Sequence, residues 1–127
     1  MNAEQFKQRT KQFGIRIVKL VEALPRSPTA SVIGRQLLRS GTSVGANYRA
    51  VWRAKSRADV IAKLGIVEEE CDESIYWLEM LVETNPIKPV LVSSLIQEGE
   101  EILAIVVASA KTARTRSNPQ SAIANPK

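Results

Sequence analysis

The sequence predicts an all-α protein, an antiparallel up-down-up-down four-helix bundle. Apolar residues recur every three or four positions through four long stretches, prolines or capping residues separate these stretches, and no stretch alternates as a strand does. The expected helices cover residues 3–24, 28–54, 57–84 and 89–114. Together they form one domain over residues 1–116, and the tail over 117–127, rich in Ser, Asn, Ala and Pro, is expected to be disordered.

Local signals place the ends of these helices. Pro25 ends the first helix, and Ser27 can cap the second, with Pro28 at its first position. Ser56 and Asp59 have the spacing of a capping box at the start of the third helix. Asn85–Pro86 ends the third helix, and Pro89 can open the fourth.

The second helix has three different faces. One is an apolar stripe. Another is a polar row of uncharged side chains, and the opposite side is an arginine ridge interrupted only by Thr42 and Ala46. The stripe contains Ile33, Leu37, Val44, Tyr48 and Val51; the polar row contains Gln36, Ser40, Ser43 and Asn47; the ridge contains Arg35, Arg39, Arg49 and Arg53 and extends to Arg57.

Glycines in this helix predict close packing. Gly34, Gly41 and Gly45 each cost roughly 1 kcal/mol relative to Ala, which a helix tolerates where another backbone approaches closely. The alternative is that Ser40–Ser43 forms a loop between two shorter helices. Because the apolar stripe keeps its phase through this segment, one continuous helix is favoured.

Composition argues against most catalytic and cofactor chemistry. The 127 residues include no histidine and one cysteine, so the common zinc and Glu-x-x-His di-iron sites and histidine-activated nucleophiles are excluded. We therefore expect no enzyme activity and no cofactor. The absence of a long apolar run and of an apolar amino terminus predicts a cytoplasmic protein with no membrane partner.

The acidic run from Glu68 to Glu73 is the densest group of charges. Its carboxylates scatter around the predicted helix, so a solvated face is favoured over a divalent-cation site. Glu68 itself falls within the apolar stripe of the third helix, which we expect to be Ile61, Leu64, Glu68, Cys71, Ile75, Leu78 and Val82. We expect Glu68 to accept hydrogen bonds from the polar row of the second helix, in a structural cluster whose loss costs roughly 1–3 kcal/mol.

Charge is strongly segregated along the chain. Residues 1–63 contain 13 Lys and Arg against 3 Asp and Glu, whereas residues 64–87 contain seven acidic residues and no basic one. The arginine ridge is therefore a candidate nucleic-acid-binding face, with Tyr48 and Trp52 nearby for stacking on bases. The alternative is that these arginines meet the acidic third helix, within the chain or from another subunit.

The second and third helices resemble the four-helix-bundle proteins encoded in intervening sequences of bacterial 23S rRNA genes. The segments that carry the likeness are Gln36–Ser40, Ser43–Asn47, Lys63–Glu70 and Tyr76–Glu79. Many members follow the asparagine with an apolar residue, a small one and then Glu-Gly; here Asn47 is followed by Tyr-Arg-Ala-Val, so no role of that pair is carried over. The resemblance implies a ring-shaped homo-oligomer, typically a pentamer, without enzyme activity. A related branch, the accessory proteins of diversity-generating retroelements, implies structured RNA or a reverse transcriptase as partner.

Two function classes follow from these observations. The first is an oligomeric accessory module that binds RNA through the arginine ridge without reading bases; the second is a protein-interaction or scaffolding ring that binds no nucleic acid. The aromatic residues Trp52, Tyr76 and Trp77, expected on partly exposed flanks, favour self-association in both cases.

Overall fold

The structure, a computed structural model, describes residues 1–84 and 87–115 and confirms the predicted four-helix bundle. The helices are α1 (Ala3–Glu22), α2 (Pro28–Val51), α3 (Arg57–Thr84) and α4 (Pro89–Thr115). The described residues contain no strand. None of their helices is both long and apolar enough to cross a bilayer. The predicted tail and the Asn85–Pro86 stop signal lie outside the described residues.

The predicted helix starts match the structure closely. The Ser27 side chain accepts a hydrogen bond from the Ala30 N–H at the start of α2, and Pro28 occupies its first turn. At the start of α3 the Asp59 N–H donates to Ser56 Oγ over 3.0 Å. The return bond differs from a standard capping box, because the Asp59 carboxylate accepts from the Lys55 N–H rather than from Ser56.

Two predicted helix ends were too long. Helix α1 ends at Glu22 rather than at residue 24, because the residue before Pro25 is pushed out of the helical region. Helix α2 ends at Val51, and the following backbone bonds span three residues instead of four, as in a tightened last turn. The loop considered at Ser40–Ser43 does not form, and α2 is continuous.

Consecutive helices pack extensively, whereas α1 and α4 contact each other much less. One polar clamp joins this sparse seam: the Arg9 guanidinium donates to both Glu98 oxygens, over 2.7 and 2.8 Å, and to Glu101 over 2.6 Å. These hydrogen bonds, chiefly the one to Glu98, raise the pKa of Arg9 further above its ordinary value. Arg9 therefore remains charged and connects the first and last helices.

The core confirms the predicted stripe of α2, since all five of its residues are buried. The stripe predicted for α3 is confirmed in part, since Leu64, Cys71, Ile75 and Leu78 are buried. Ile61, Glu68 and Val82 are only half-buried, and the core also includes a row with seven-residue spacing: Val60, Val67, Ser74 and Leu81. Ser74 enters the core beside α2, where the sequence suggested the Glu68 carboxylate.

Helices α1 and α2 approach backbone to backbone, as the glycines predicted. A Cβ atom on Gly45 would lie 3.2 Å from the Thr10 carbonyl carbon and oxygen, and one on Gly41 would lie 2.9 Å from Ile17 Cγ2. On the other helix, a Cβ on Gly14 would lie 3.4 Å from the Gly41 carbonyl oxygen. The outer seam between the two helices is consequently shallow and floored by small residues.

Candidate nucleic-acid interface

The structure divides the predicted arginine ridge into two groups. Arg39 pairs with Glu70 over 3.1 Å and with Glu73, so the alternative of an ion pair with α3 holds at this position. The hydrogen bonds to Glu73 and Glu70 raise the Arg39 pKa, and Arg39 in turn lowers the pKa of Glu73 with help from the Trp77 indole. Arg57 donates to the Ala113 carbonyl over 2.6 Å and to the Arg114 carbonyl. It therefore satisfies free acceptors at the end of α4.

The remaining three ridge arginines face solvent. Arg35, Arg49 and Arg53 are exposed; Arg35 and Arg49 lie on one side of α2, and Arg53 follows just beyond its end. Arg35 donates to the Ser31 hydroxyl over 2.7 Å, which leaves its charge uncompensated. Within residues 1–84 and 87–115, Arg49 and Arg53 form neither an ion pair nor a side-chain hydrogen bond. These three guanidinium groups can therefore meet an external anion.

Arg49 lies at one end of a groove along the outer seam between α1 and α2. This α1–α2 groove has a volume of about 270 Å³. Its walls combine cations with small and aliphatic residues, and no acidic side chain lines it in the described part of the chain. The lining residues are Lys7, Thr10, Lys11, Gly14, Ile15, Val18, Thr42, Gly45, Ala46 and Arg49.

The same seam continues toward the turn between α1 and α2. A second shallow depression there is lined by Arg26 and Arg35 together with Leu38 and residues of the Pro25–Pro28 turn. Five cations therefore line one outer seam, which we call the basic seam. Its members are Lys7, Lys11, Arg26, Arg35 and Arg49. Arg53 is exposed just beyond the end of α2 and lines neither depression.

The predicted stacking role of the α2 aromatic residues is wrong for Tyr48. Tyr48 is fully buried and packs edge-on against Phe6, with ring centroids 4.7 Å apart. Burial raises its pKa to about 12, and the neighbouring Trp52 indole partly opposes that rise. Trp52 is half-buried under the Lys7 ammonium, which lies 5.2 Å from its ring centroid. Trp52 thus positions a groove cation instead of offering an open face to a base.

The predicted hydrogen bonds between Glu68 and the polar row do not form in the described residues. Ser43 and Asn47 donate to carbonyls of α2 itself, over 2.7 and 2.8 Å. Ser40 is buried, and its partner on α3 is Ser74, whose hydroxyl donates to Ser40 Oγ over 3.0 Å. A pair of neutral hydroxyls therefore replaces the expected carboxylate cluster, and Gln36 and Glu68 remain half-buried at its edge.

This arrangement reverses the expected effect of Glu68→Ala. Because no donor depends on the carboxylate, we expect the free energy of unfolding to change by less than about 0.5 kcal/mol. Urea denaturation followed by circular dichroism measures this change. A matched Ser74→Ala variant should lose roughly 1 kcal/mol, since it leaves the buried Ser40 hydroxyl without its α3 partner. A loss above about 1 kcal/mol for Glu68→Ala would contradict the structure and restore the predicted cluster.

Cys71 and the acidic run from Glu68 to Glu73 are the remaining groups considered in the sequence. Cys71 is buried, with its Sγ 3.2 Å from the Gly99 carbonyl oxygen. Burial, reinforced by the charges of Asp72 and Glu98, raises the pKa of this thiol to about 12, so it is protonated near neutral pH. No group of acidic or cysteine side chains in the described residues is arranged to hold a metal ion.

The fold and surface together define a class: a four-helix-bundle protein with one basic seam and a separate acidic helix. The family model of the 23S rRNA-intervening sequence proteins matches residues 3–108, and the chain belongs to this family. Its structure is similar to the crystal structure of a protein of unknown function from the S23 ribosomal protein family of Bacteroides thetaiotaomicron. The TM-score is 0.80 and the sequence identity 38%, over 86% of this chain and 97% of the other. No curated protein matches the chain.

Sequence reasoning missed the contribution of α1 to the interface. Lys7 and Lys11 are four residues apart on α1, outside the predicted arginine ridge. The available signal lay in α2, where the small residues Thr42 and Ala46 interrupt the ridge. Small residues between arginines leave room for side chains of a neighbouring helix. Both Thr42 and Ala46 line the α1–α2 groove.

Proposed function

We propose that the protein is a non-enzymatic RNA-binding accessory module that contacts RNA phosphates through the basic seam. The observation that carries this proposal is the row of exposed cations that the acidic residues of the chain leave uncompensated. Lys7 has an acidic partner in Glu4, at 3.7 Å, and this pair is exposed and contributes little. The Arg39 ion pairs use two carboxylates of α3, Glu70 and Glu73, so these two do not neutralise the seam cations.

The geometry suits a phosphate backbone. Arg35 and Arg49 are 14 residues apart on α2, a span of about 21 Å at 1.5 Å per residue, and Arg53 follows just beyond the end of that helix. Guanidinium groups bind phosphate oxygens in a bidentate manner, and lysines add point charges on the opposite wall of the groove. Binding of this kind depends strongly on salt and selects weakly among sequences, because it involves no hydrogen bonds to base edges.

Self-association would strengthen such binding. We propose the homo-oligomer, most simply the pentamer that the family resemblance implies, because several copies of a moderately basic face bind one long polyanion with higher avidity. A reverse transcriptase would be a second partner of the same assembly under this proposal. The half-exposed Tyr76 on α3 supports an additional protein contact.

The combined variant Arg49→Gln and Arg53→Gln tests the function directly. Two exposed phosphate contacts contribute roughly 1 kcal/mol each after solvent screening, so we expect the Kd for a structured RNA to rise about 10- to 100-fold. The slope of log K against log salt should become shallower by roughly 1.5 to 2. Fluorescence anisotropy titrations at several salt concentrations measure both quantities, and light scattering measures the mass of the assembly.

The matched control is Arg16→Gln with Lys19→Gln, which removes the same charge from the side of α1 that faces α4. This control should keep most of the affinity and most of the salt slope. If the wild-type assembly shows no salt-sensitive binding to any structured RNA, the RNA-binding function is wrong. If the Arg49 and Arg53 substitutions dissociate the assembly instead, these arginines are subunit contacts and the scaffolding function is favoured.

The scaffolding ring has its own supporting observation. Helix α3 exposes an acidic stripe interspersed with apolar side chains, on a side of the molecule different from the basic seam. Tyr76 is 52% exposed and Ile66 is 42% exposed within this stripe. Its exposed acidic members are Glu69, Asp72, Glu79 and Glu83. An acidic, partly apolar surface on one copy complements a basic, partly apolar seam on another.

A further inference from the structure

We propose that the α1–α2 groove binds an unpaired base of single-stranded RNA, while Lys7, Lys11 and Arg49 hold the adjoining phosphates. This inference rests on the proposed function and specifies its substrate: a single-stranded segment is preferred over a duplex. It also supplies a site for base contact where the sequence had placed stacking on Tyr48, which is buried.

The floor of the groove is suited to a flat apolar ring. Gly14 and Gly45 bring the backbones of α1 and α2 together, so that no Cβ atom projects from those positions. Ile15 and Val18 on α1 face Thr42 and Ala46 on α2 across this floor. Ile15 is 36% exposed, which leaves apolar surface available for a ligand to cover.

The size of the groove limits what it can hold. A volume of about 270 Å³ is close to the lower end for small-molecule sites, roughly 300 Å³. It therefore accommodates one base with part of its sugar rather than a stack of bases. The groove is open to solvent, so a polynucleotide can enter and leave along its length.

The cations of the groove favour an anionic ligand, and its apolar floor favours a flat one. Two lysines of α1 and one arginine of α2 line the groove, and its described lining includes no carboxylate. Lys7 is held at this position by its contact with the Trp52 ring. A neutral apolar ligand would gain nothing from these cations. A duplex would reach them with its phosphates, but its stacked bases could not occupy the floor. An unpaired nucleotide within a chain uses both parts of the site.

Filling the floor without changing charge separates base contact from phosphate contact. Ala46→Leu adds apolar volume inside the groove, and Ala62→Leu adds the same volume at an exposed position of α3 as a control. The probes are a labelled unstructured ten-nucleotide oligouridine and a blunt RNA duplex of ten base pairs. Affinities are measured by anisotropy at one low salt concentration, with light scattering of each variant in parallel.

We expect the wild-type protein and Ala62→Leu to bind the oligouridine about tenfold more tightly than the duplex. Ala46→Leu should abolish that preference, while its duplex affinity and the salt slope stay unchanged. Lys11→Gln should weaken binding of both probes, because it removes a phosphate contact.

The possible failures are distinguishable. Wild-type binding to both probes with equal affinity, or a preference that survives Ala46→Leu, overturns the base site and leaves the proposed RNA-binding function intact. No binding to either probe or to longer structured RNA defeats the proposed function itself. If Ala46→Leu changes the mass of the assembly whereas Ala62→Leu does not, the groove is an interface between copies of the chain, and the base site is also wrong.

Discussion

Gly41→Val should destabilise the bundle by about 3 kcal/mol, at the upper end of the usual cost of overpacking a core. The backbone at Gly41 faces a fully buried β-branched side chain: a Cβ would lie 2.9 Å from Ile17 Cγ2 and 3.3 Å from Ile17 Cβ. These atoms are near the Ile17 backbone and cannot rotate away as the tip of a long side chain could. The clash must therefore push α1 away from α2, which loosens the neighbouring contact at Gly45.

Gly65→Ala is the matched control for this substitution. Gly65 lies in α3, and apart from the nearby backbone of the helix itself no described residue has an atom within 4 Å of the position that a Cβ would take. Replacing it should stabilise the protein by up to about 1 kcal/mol, because alanine loses less conformational entropy in a helix. Thermal and urea unfolding of both variants measures the difference. Equal effects of the two substitutions would show that α1 and α2 do not pack as closely as the structure indicates.

The glycines illustrate how far the sequence specifies this fold. Gly41 and Gly45 each destabilise a helix relative to Ala. Glycines within an unbroken apolar stripe therefore predict a close contact with another helix, but they do not identify that helix. Helix boundaries at Ser27, Pro28 and Pro89 were predictable because capping and proline effects act within one turn. The exact ends at Glu22 and Val51 were less predictable, since helix ends fray and often finish in a tightened last turn, which shifts a boundary by one or two residues.

The candidate site was harder to predict because it depends on pairings between helices. A helical wheel placed Arg35, Arg39 and Arg49 on one side of α2, but Arg53 lies beyond the end of that helix, and the wheel could not show that Arg39 reaches two carboxylates of α3. Nor could it show that Arg57 would bind the end of α4. The Glu68 prediction was wrong for a related reason. Glu68 and Ser74 are about 120° apart around α3, so the rotation of this helix decides which of them faces α2. Only the competition among all the apolar residues of α3 settles that rotation.

Phe13→Ala should produce the largest loss of stability, about 4–5 kcal/mol. The usual cost of truncating a buried aromatic residue is about 3–5 kcal/mol, and it depends on how far the neighbours collapse into the cavity. Phe13 is 1% exposed, and its ring tip lies against Gly99 of α4, where a Cβ would be 3.4 Å from Phe13 Cζ. The ring therefore crosses from α1 to α4 and meets α4 at a glycine, which has no side chain.

Collapse is limited at this position because the Arg9 clamp to Glu98 and Glu101 fixes the separation of α1 and α4 nearby. The cavity left by Phe13→Ala should consequently persist, which places the cost near the top of the range. Phe13→Leu is the control: it keeps most of the apolar volume and should cost only about 1–1.5 kcal/mol. Urea unfolding at neutral pH, with the slope of the transition checked for two-state behaviour, measures both variants. A loss below about 2 kcal/mol for Phe13→Ala would mean that α4 moves in to fill the space, and the α1–α4 seam would then be more adaptable than its clamp indicates.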